Sequence, residues 1–306
     1  MQATLKALTR LFLRAFFKPF FGPPFPLAFQ RRWLALLSRT ALPPKGIERS
    51  DVWVGEMRML RVREAAGPGP VAPAERPAVL MVHGGGFVLG SPESYVGLAG
   101  WIARTSGADV YVPDYRLSPE HPHPAPTDDV FAAYRAVLDL GHSPRRTAIV
   151  GDSAGGALAV SAVLSLPEMN VPSPAGLVLI SPWLDLTLTA ASVGANARRD
   201  PMLRREWLEG SSRSYAGGLR RSDPRVSPLF ADLRTLPPTL VQVGSDEILL
   251  DDSIRFADRA WAAGREVELQ RFEGWWHDFQ ALAGSLAPAR MALEDVAGFL
   301  KRRLDD

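Results

Sequence analysis

A serine stands at the centre of the pattern Gly-x-Ser-x-Gly, which runs from Gly151 to Gly155. An apolar segment, residues 148–150, precedes the pattern, and a helix-like segment, residues 157–166, follows it. This order is typical of a nucleophile elbow, in which a sharp strand-to-helix turn leaves the serine hydroxyl open to attack an acyl carbon. Because Gly and Ser are common residues, the pentapeptide alone does not distinguish a nucleophile from a chance loop. Ser153 is therefore a candidate nucleophile that needs an oxyanion site and a base.

A second glycine-rich turn, His83 to Gly86, follows the apolar segment Ala78–Val82. Successive glycines leave backbone N–H groups without side-chain cover, so these groups can converge on a developing oxyanion. The alternative is a plain glycine turn after a strand. In an α/β hydrolase, however, the oxyanion loop lies before the elbow in the chain, as this turn does. The two turns together predict acyl transfer at Ser153, and this chemistry requires no metal and no cofactor.

His277 is the candidate base, because it alone of five histidines follows the last apolar segment before the C-terminal helix pattern. The other four lie in the glycine turn, in a proline-rich run and in a short link: His83, His121, His123 and His142. Chain order on this fold places the acid between the serine and the histidine. Asp246 directly follows the segment 239–243 and is the first choice, with Glu247 as its main rival. Two further acids, Asp251 and Asp252, better suit the first turn of the next helix, where negative charge favours the helix dipole.

The elements that must position these residues alternate along the chain. Short apolar segments predict strands over residues 78–82, 109–113, 148–150, 177–180, 239–243 and 267–272. Between and after them, helical patterns cover residues 95–105, 127–140, 155–166, 253–263 and 288–303. This alternation predicts an α/β fold with a mostly parallel sheet that helices cover on both faces. Residues 51–62 are predicted to add an antiparallel pair, and the Pro-, Gly- and Ala-rich residues 65–77 a loop.

Two stretches do not fit this alternation, and we expect them to form a helical cap over the carboxyl edge of the sheet. The first is residues 1–45 and the second is residues 185–225. The α/β core is then expected to comprise residues 46–184 and 226–306.

Residues 1–20 are amphipathic. Lys6, Arg10, Arg14 and Lys18 recur every four residues and interrupt the apolar run, so we expect neither a signal peptide nor a membrane span. The prediction is a helix that packs on the protein with a solvated basic edge. The alternative is a helix that contacts anionic lipid at a membrane surface. The protein is accordingly expected to be cytoplasmic, with peripheral membrane association as the alternative.

Composition excludes several classes of function. The chain has 306 residues, of which 46% are hydrophobic, and a net charge of +2 from 35 basic and 33 acidic side chains. An excess this small gives no reason to expect a nucleic-acid partner. The chain contains no cysteine, which excludes disulfides, thiolate metal ligands and a cysteine nucleophile.

With these motifs, the sequence resembles the hormone-sensitive-lipase-like branch of the α/β hydrolases, the bacterial family IV esterases. The matching segments are residues 83–86 (HGGG), 114–122 (DYRLSPEHP), 151–156 (GDSAGG), 181–186 (SPWLDL), 244–252 and His277. The resemblance implies an α/β-hydrolase fold with a helical cap and hydrolysis of carboxylic esters by a Ser-His-Asp triad. It also implies a possible homodimer through residues 267–272 and 288–303.

The resemblance further implies particular roles for motif residues. The oxyanion would be bound by the N–H groups of Gly85, Gly86 and Ala154. Residues that support the oxyanion loop would be His83, Gly84, Asp114, Glu120 and Asp152. The sequence departs from the family at one point: Glu247-Ile248-Leu249 follows Asp246, where the family often has Pro-Leu after the acid.

Aromatic residues near the motifs indicate the kind of substrate. Phe87, Trp183 and Trp276 are expected to line a pocket for an apolar group, although such residues also form ordinary cores. A capped pocket favours small esters with short or medium acyl chains. The alternatives are an interfacial lipase, a lactone or amide hydrolase, and a non-catalytic binding protein on the same fold; the last is disfavoured because a serine, an acid and a histidine are all in place.

Overall fold

The computed structural model describes residues 2–65 and 76–304, and most of the predicted loop at residues 65–77 lies outside these ranges. Within them, the strands are β1 (Ile47–Val54), β2 (Met57–Glu64), β3 (Ala78–Val82), β4 (Asp109–Pro113), β5 (Thr147–Asp152), β6 (Gly176–Ile180), β7 (Thr239–Gly244) and β8 (Val267–Phe272). They form one sheet in the order β1-β2-β4-β3-β5-β6-β7-β8.

The sheet is antiparallel at one side and parallel elsewhere. β2 pairs antiparallel with both β1 and β4, whereas the strands from β4 through β3 to β8 pair in parallel. β3 to β7 are buried at every position, which explains why they appear in the sequence as continuous apolar runs. The predicted α/β fold and its six core strands are confirmed. β8 lies at the sheet edge, and the homodimer through it stays a prediction.

Helices cover both faces of the sheet. They are α1 (Gln2–Phe12), α2 (Leu27–Leu37), α3 (Val96–Ser106), α4 (Ala125–Asp139), α5 (Ala154–Ser165), α6 (Ala191–Ala195), α7 (Arg205–Ala216), α8 (Leu250–Ala262) and α9 (Ala287–Leu304). Alternate strand residues contribute to two apolar clusters: Leu80 of β3 belongs to the cluster that includes residues of α4, α5 and α8, and its neighbour Val79 belongs to the cluster that includes residues of α3 and α9. No helix in the described ranges combines the length and apolar character that crossing a membrane requires.

The N-terminal helix directs its cationic side chains towards the protein, whereas the sequence predicted that they would face solvent. α1 continues through a π-helical turn, Leu13–Phe17. The cations of the expected solvated edge instead contact groups on the body: Lys6 lies over the Trp275 ring, Arg10 pairs with Asp246, Arg14 donates to the Arg198 carbonyl and Lys18 donates to the Asp200 carbonyl. Lys6, Arg10 and Lys18 are only partly exposed, whereas Arg14 is exposed, so the predicted solvated basic edge is present only at Arg14. Most of the exposed residues from Ala7 to Phe16 are apolar, and Arg14 is the one exposed cation among them.

The two stretches outside the strand–helix alternation contact each other. The Trp207 indole in α7 donates to the Gln30 amide oxygen in α2 at 3.1 Å, and its ring lies 6.0 Å from that of Phe21. Arg204 donates to the Phe21 carbonyl. Residues of the first stretch and residues 185–225 therefore pack as neighbours.

Substitution of a helical glycine by alanine tests how closely α5 packs on β3, and a glycine of α7 provides the control. A Cβ on Gly155 of α5 would lie 2.1 Å from the Val82 carbonyl oxygen of β3, whereas a Cβ on Gly210 of α7 would meet nothing within 4 Å. We expect Gly155→Ala to lower the free energy of unfolding by about 1–3 kcal/mol, because backbone must move. Gly210→Ala should raise it by up to about 1 kcal/mol. Urea denaturation measures both, and a Gly155→Ala protein as stable as the parent would contradict this packing.

Candidate active site

Ser153 lies in a strained turn between β5 and α5. Its backbone angles are φ 51° and ψ −121°, a region that non-glycine residues rarely adopt. The turn is tight because a Cβ on Gly151 would lie 2.6 Å from the Gly155 carbonyl oxygen. The Ser153 N–H donates to the Ile180 carbonyl at the end of β6, which fixes the turn against the neighbouring strand. This geometry is that of the predicted nucleophile elbow.

His277 lies within hydrogen-bond distance of Ser153. The residue follows β8, and its Nε2 atom lies 2.9 Å from the Ser153 Oγ. Only 2% of His277 and 6% of Ser153 are exposed, so the pair lies almost out of contact with water. The structure thus brings together the serine and histidine that the sequence placed 124 positions apart.

The carboxylate that faces His277 is that of Glu247. Its Oε2 lies 2.8 Å from the His277 Nδ1, and the residue is fully buried. Its other oxygen, Oε1, accepts hydrogen bonds from the Ser181 hydroxyl at 2.9 Å and from the Gly244 N–H at 2.6 Å. These donors compensate for the loss of water around a buried carboxylate. A neutral His277 that donates from Nδ1 to Glu247 leaves Nε2 free to accept the Ser153 proton.

The prediction that Asp246 faces His277 is wrong. The Asp246 N–H donates to the Trp275 carbonyl, and its side chain forms an ion pair with Arg10 of α1 at 2.7 Å. Successive side chains of this turn point in different directions, so Asp246 faces the N-terminal helix and Glu247 faces the interior. The sequence placed the acid within one residue of its position in the structure. Only the direction of each side chain in the turn distinguishes Asp246 from Glu247.

Asp278 is a second carboxylate beside His277 that the sequence reasoning missed. Its Oδ2 lies 3.1 Å from the His277 Nε2, the same nitrogen that faces Ser153. Its Oδ1 is buried and has no hydrogen-bond partner among the described residues. Asp278 has φ 50°, a conformation that Asp tolerates better than most residues. The sequence does show an Asp directly after the candidate base, but this residue belongs to none of the motifs that indicated the site.

The carboxylates around His277 favour its charged form. Burial by itself would lower the pKa of His277, but Asp278 and Glu247 together raise the pKa well above its ordinary value. The geometry also favours a raised pKa for His277, because an unprotonated Nε2 beside the Asp278 carboxylate would place two hydrogen-bond acceptors together. The imidazolium form instead donates from both nitrogens.

The glycine turn lies against the elbow. The Gly84 N–H donates to the Asp152 Oδ1 at 2.9 Å, and the Tyr95 hydroxyl donates to the Asp152 Oδ2 at 2.8 Å. Burial, followed by the negative charge of Asp278, raises the pKa of Asp152 well above its usual value. Asp152 therefore joins the residue before the nucleophile to the glycine turn, and Tyr95 is a further support that no motif indicated.

His83 supports the turn from within. Its Nδ1–H donates to the Gly84 carbonyl at 2.8 Å, and its ring stacks on Tyr115 with 4.2 Å between centroids. Burial lowers the pKa of His83 to about 4, although the hydrogen bond to Gly84 opposes this effect. The ring is therefore neutral at physiological pH, and its contacts are compatible with the supporting role, which stays a prediction.

The candidate oxyanion donors occupy the expected turns. Gly85 has φ 114° and Gly86 has φ 62°, conformations that favour glycine, and Ala154 begins α5 directly after Ser153. A Cβ on Gly85 would lie 2.3 Å from the Leu89 carbonyl oxygen. Within residues 2–65 and 76–304, the N–H groups of Gly85, Gly86 and Ala154 donate to no protein acceptor. These groups are thus available to a ligand.

Glu120 and Asp114, the two other residues expected to support the oxyanion loop, have different contacts. Glu120 pairs with Arg31, and Arg31 also donates to the Val88 carbonyl just beyond the glycine turn. Glu120 therefore acts on the turn through Arg31, a residue outside every motif. Asp114 pairs with Arg58 at 3.1 Å and is exposed, and Arg58 also pairs with Glu93 beyond the glycine turn, so a supporting role for Asp114 stays a prediction.

A cavity of about 480 Å³ opens onto Ser153 and His277. Trp276 lines it, as predicted, together with apolar residues of the N-terminal segment: Leu5, Leu8, Phe12, Leu13, Phe17, Phe21, Leu34 and Leu37. Phe87 and Trp183 do not line it, and that prediction is wrong. The φ of 66° at Phe87 directs its ring into the core, where it stacks on Tyr215 at 3.8 Å and lies 5.4 Å from Trp183.

Comparisons with known proteins all match this chain to α/β hydrolases, esterases or an acetyl-hydrolase. A protein-family profile described as an alpha/beta hydrolase fold matches residues 79–281. An esterase from Acinetobacter venetianus is 41% identical over 246 residues, which cover 80% of this chain and 81% of that protein. An acetyl-hydrolase from Streptomyces hygroscopicus is 38% identical over 223 residues, which cover 73% and 75%. The crystal structure of an esterase from the bacterial hormone-sensitive lipase family superposes with a TM-score of 0.89 at 34% identity, covering 98% of this chain and 97% of that one.

The charge of Asp278 should be measurable at His277. We expect Asp278→Asn to lower the pKa of the His277 imidazole, because the negative charge beside Nε2 no longer stabilises the imidazolium. Asn retains the size of the side chain and tolerates the same φ. Titration by ¹⁵N NMR of the imidazole measures the shift, and Asp246→Asn is the control, since Asp246 pairs with Arg10. An unchanged pKa in Asp278→Asn would show that the carboxylate does not act on the ring.

Proposed function

Since the chain belongs to the α/β hydrolases, in their hormone-sensitive-lipase-like branch, and is a carboxylic ester hydrolase, we propose that it works through Ser153, His277 and Glu247. The observation that carries the proposal is the continuous hydrogen-bond chain of 2.9 Å from Ser153 to His277 and 2.8 Å from His277 to Glu247. This series of hydrogen bonds has the order nucleophile, base and orienting acid that acyl transfer requires. Its acid is Glu, in place of the Asp that the sequence analysis preferred.

In the first half of the proposed reaction, His277 removes the Ser153 proton through Nε2 as Oγ attacks the ester carbonyl carbon. Negative charge develops on the carbonyl oxygen, and the N–H groups of Gly85, Gly86 and Ala154 donate to it. Glu247 accepts from Nδ1 and stabilises the imidazolium. The Nε2 proton then passes to the leaving alcohol, the carbon–oxygen bond of the ester breaks, and the acyl group remains on Ser153.

In the second half, His277 removes a proton from water, and the resulting oxygen nucleophile attacks the acyl-enzyme. The tetrahedral intermediate collapses, the carboxylic acid leaves, and the proton returns from Nε2 to the Ser153 oxygen. Because only an unprotonated Nε2 accepts a proton, kcat/KM should rise as pH passes upward through the His277 pKa.

The cavity supports esters with short or medium acyl chains as substrates. Its volume of about 480 Å³ lies in the lower part of the range of about 300–1,000 Å³ for small-molecule sites, and its lining is mostly apolar. The N-terminal segment and residues 185–225 both contribute to the lining, through Phe12 and Trp207 among others. We propose that these segments act together as the cap that limits the acyl chain.

A carboxyl-to-amide pair of variants tests the assignment of the acid. Glu247→Gln should lower kcat about 10³–10⁴-fold, because the amide no longer stabilises the imidazolium or selects the productive tautomer. Asp246→Asn should lower it by less than about tenfold, since the Asp246 carboxylate faces Arg10 and does not contact His277. Turnover of p-nitrophenyl butyrate measures both, with Ser153→Ala as the background. The reverse order of effects would restore Asp246 as the acid.

A panel of esters tests the substrate class. With p-nitrophenyl esters from acetate to palmitate, kcat/KM should be highest between butyrate and octanoate, because longer chains exceed the apolar cavity. The p-nitroanilide of the same acid should react far more slowly if ester hydrolysis is the activity. A maximum at palmitate would contradict the capped pocket, and comparable anilide turnover would indicate an amide hydrolase.

A further inference from the structure

The N-terminal helix exposes an apolar stripe at the entrance of the active-site cavity. The stripe comprises the exposed apolar residues of α1 and its π-helical turn: Ala3, Ala7, Leu8, Leu11, Phe12, Ala15 and Phe16. Spacings of three and four residues place them on one helix face. Leu11 is 64% exposed and Phe16 is 48% exposed, whereas such a face is normally turned towards a core.

The stripe faces outward because the polar side of the helix is bound to the protein. Lys6, Arg10, Arg14 and Lys18 contact the body at successive turns, with Arg10 in both an ion pair to Asp246 and a hydrogen bond to the Gly274 carbonyl. A rotation that buried the stripe would break all of these contacts together. The orientation is therefore set by specific interactions along the whole length of the helix.

The charge of the N-terminal segment that carries the stripe favours a negatively charged partner. Residues 1–47 contain eight basic side chains and no acidic ones, although the chain as a whole is nearly neutral at +2. Arg32, Arg39 and Lys45 of this segment are exposed. A second copy of the chain would bring two basic segments together, which repel, whereas anionic lipid headgroups attract such a segment.

The stripe is also continuous with the cavity. Leu8 and Phe12 are exposed members of the stripe, and both line the cavity that opens onto Ser153. We propose that the stripe binds the surface of an anionic lipid membrane, with its apolar side chains in the headgroup–acyl boundary, so that membrane-dissolved esters enter the cavity directly. The docking itself is independent of catalysis; only the route of the substrate rests on the proposed ester hydrolysis at Ser153.

Vesicle flotation of the full chain tests the docking. The probes are vesicles of phosphatidylcholine alone and of phosphatidylcholine mixed with phosphatidylglycerol. We expect binding to the mixed vesicles, weakened by salt, and an at least tenfold loss of partitioning in Leu11→Ser/Phe16→Ser. Met169→Ser/Met291→Ser is the matched control, because these two residues are 57% and 62% exposed on the body and should not affect binding. Thermal unfolding checks that each variant is folded.

Each outcome is decisive. The inference is overturned if the parent protein binds neither vesicle, or if both double variants lose binding equally. It is also overturned if Leu11→Ser/Phe16→Ser converts a dimer into a monomer in size-exclusion chromatography, since the stripe would then bind a second copy. The same flotation with Ser153→Ala should match the parent, so failure of docking and failure of the catalytic proposal are separable. Turnover of an ester dissolved in water reports on the catalytic proposal alone.

Discussion

The close approach of the β5–α5 turn to β3 is the constraint on which the active site depends. A Cβ at Gly155 would lie within 2.1 Å of the Val82 carbonyl oxygen, so only glycine permits the contact. Beside this contact Ser153 adopts its strained conformation, and the glycine turn is joined to the elbow by the hydrogen bond from the Gly84 N–H to Asp152. A nucleophile and its candidate oxyanion donors are thus brought together by backbone packing. The side chains of the site then need only complete an arrangement that the main chain has set.

Buried charge is the second physical feature of the site. Glu247 and Asp152 are buried near His277, where unpaired carboxylates would be costly, and Asp278 beside the ring is only partly exposed. Glu247 receives three hydrogen bonds and Asp152 two, whereas the Asp278 Oδ1 receives none among the described residues. The imidazolium ring balances part of this charge. The cluster explains how a histidine that burial alone would keep neutral can instead favour its charged form.

The N-terminal helix joins two parts of the molecule that the sequence treats separately. Its inner side contacts the turn after β7 through Arg10 and Asp246, next to the residue that faces His277. Its apolar residues line the cavity and also face outward. The same helix therefore forms part of the cavity wall and presents an apolar surface to the surroundings. An acid that the sequence analysis placed in the triad serves instead to bind this helix.

The sequence alone determined the fold, the nucleophile elbow and the glycine turn, because these depend on local chemistry: buried parallel strands need apolar runs, and tight turns need glycine. It also placed His277 correctly at the carboxyl edge. Tertiary structure decided between Asp246 and Glu247, removed Phe87 and Trp183 from the pocket, and turned the apolar side of α1 outward. These outcomes depend on the direction of a side chain and on partners far along the chain, such as Arg10 for Asp246. Spacing within one segment contains no information about such partners.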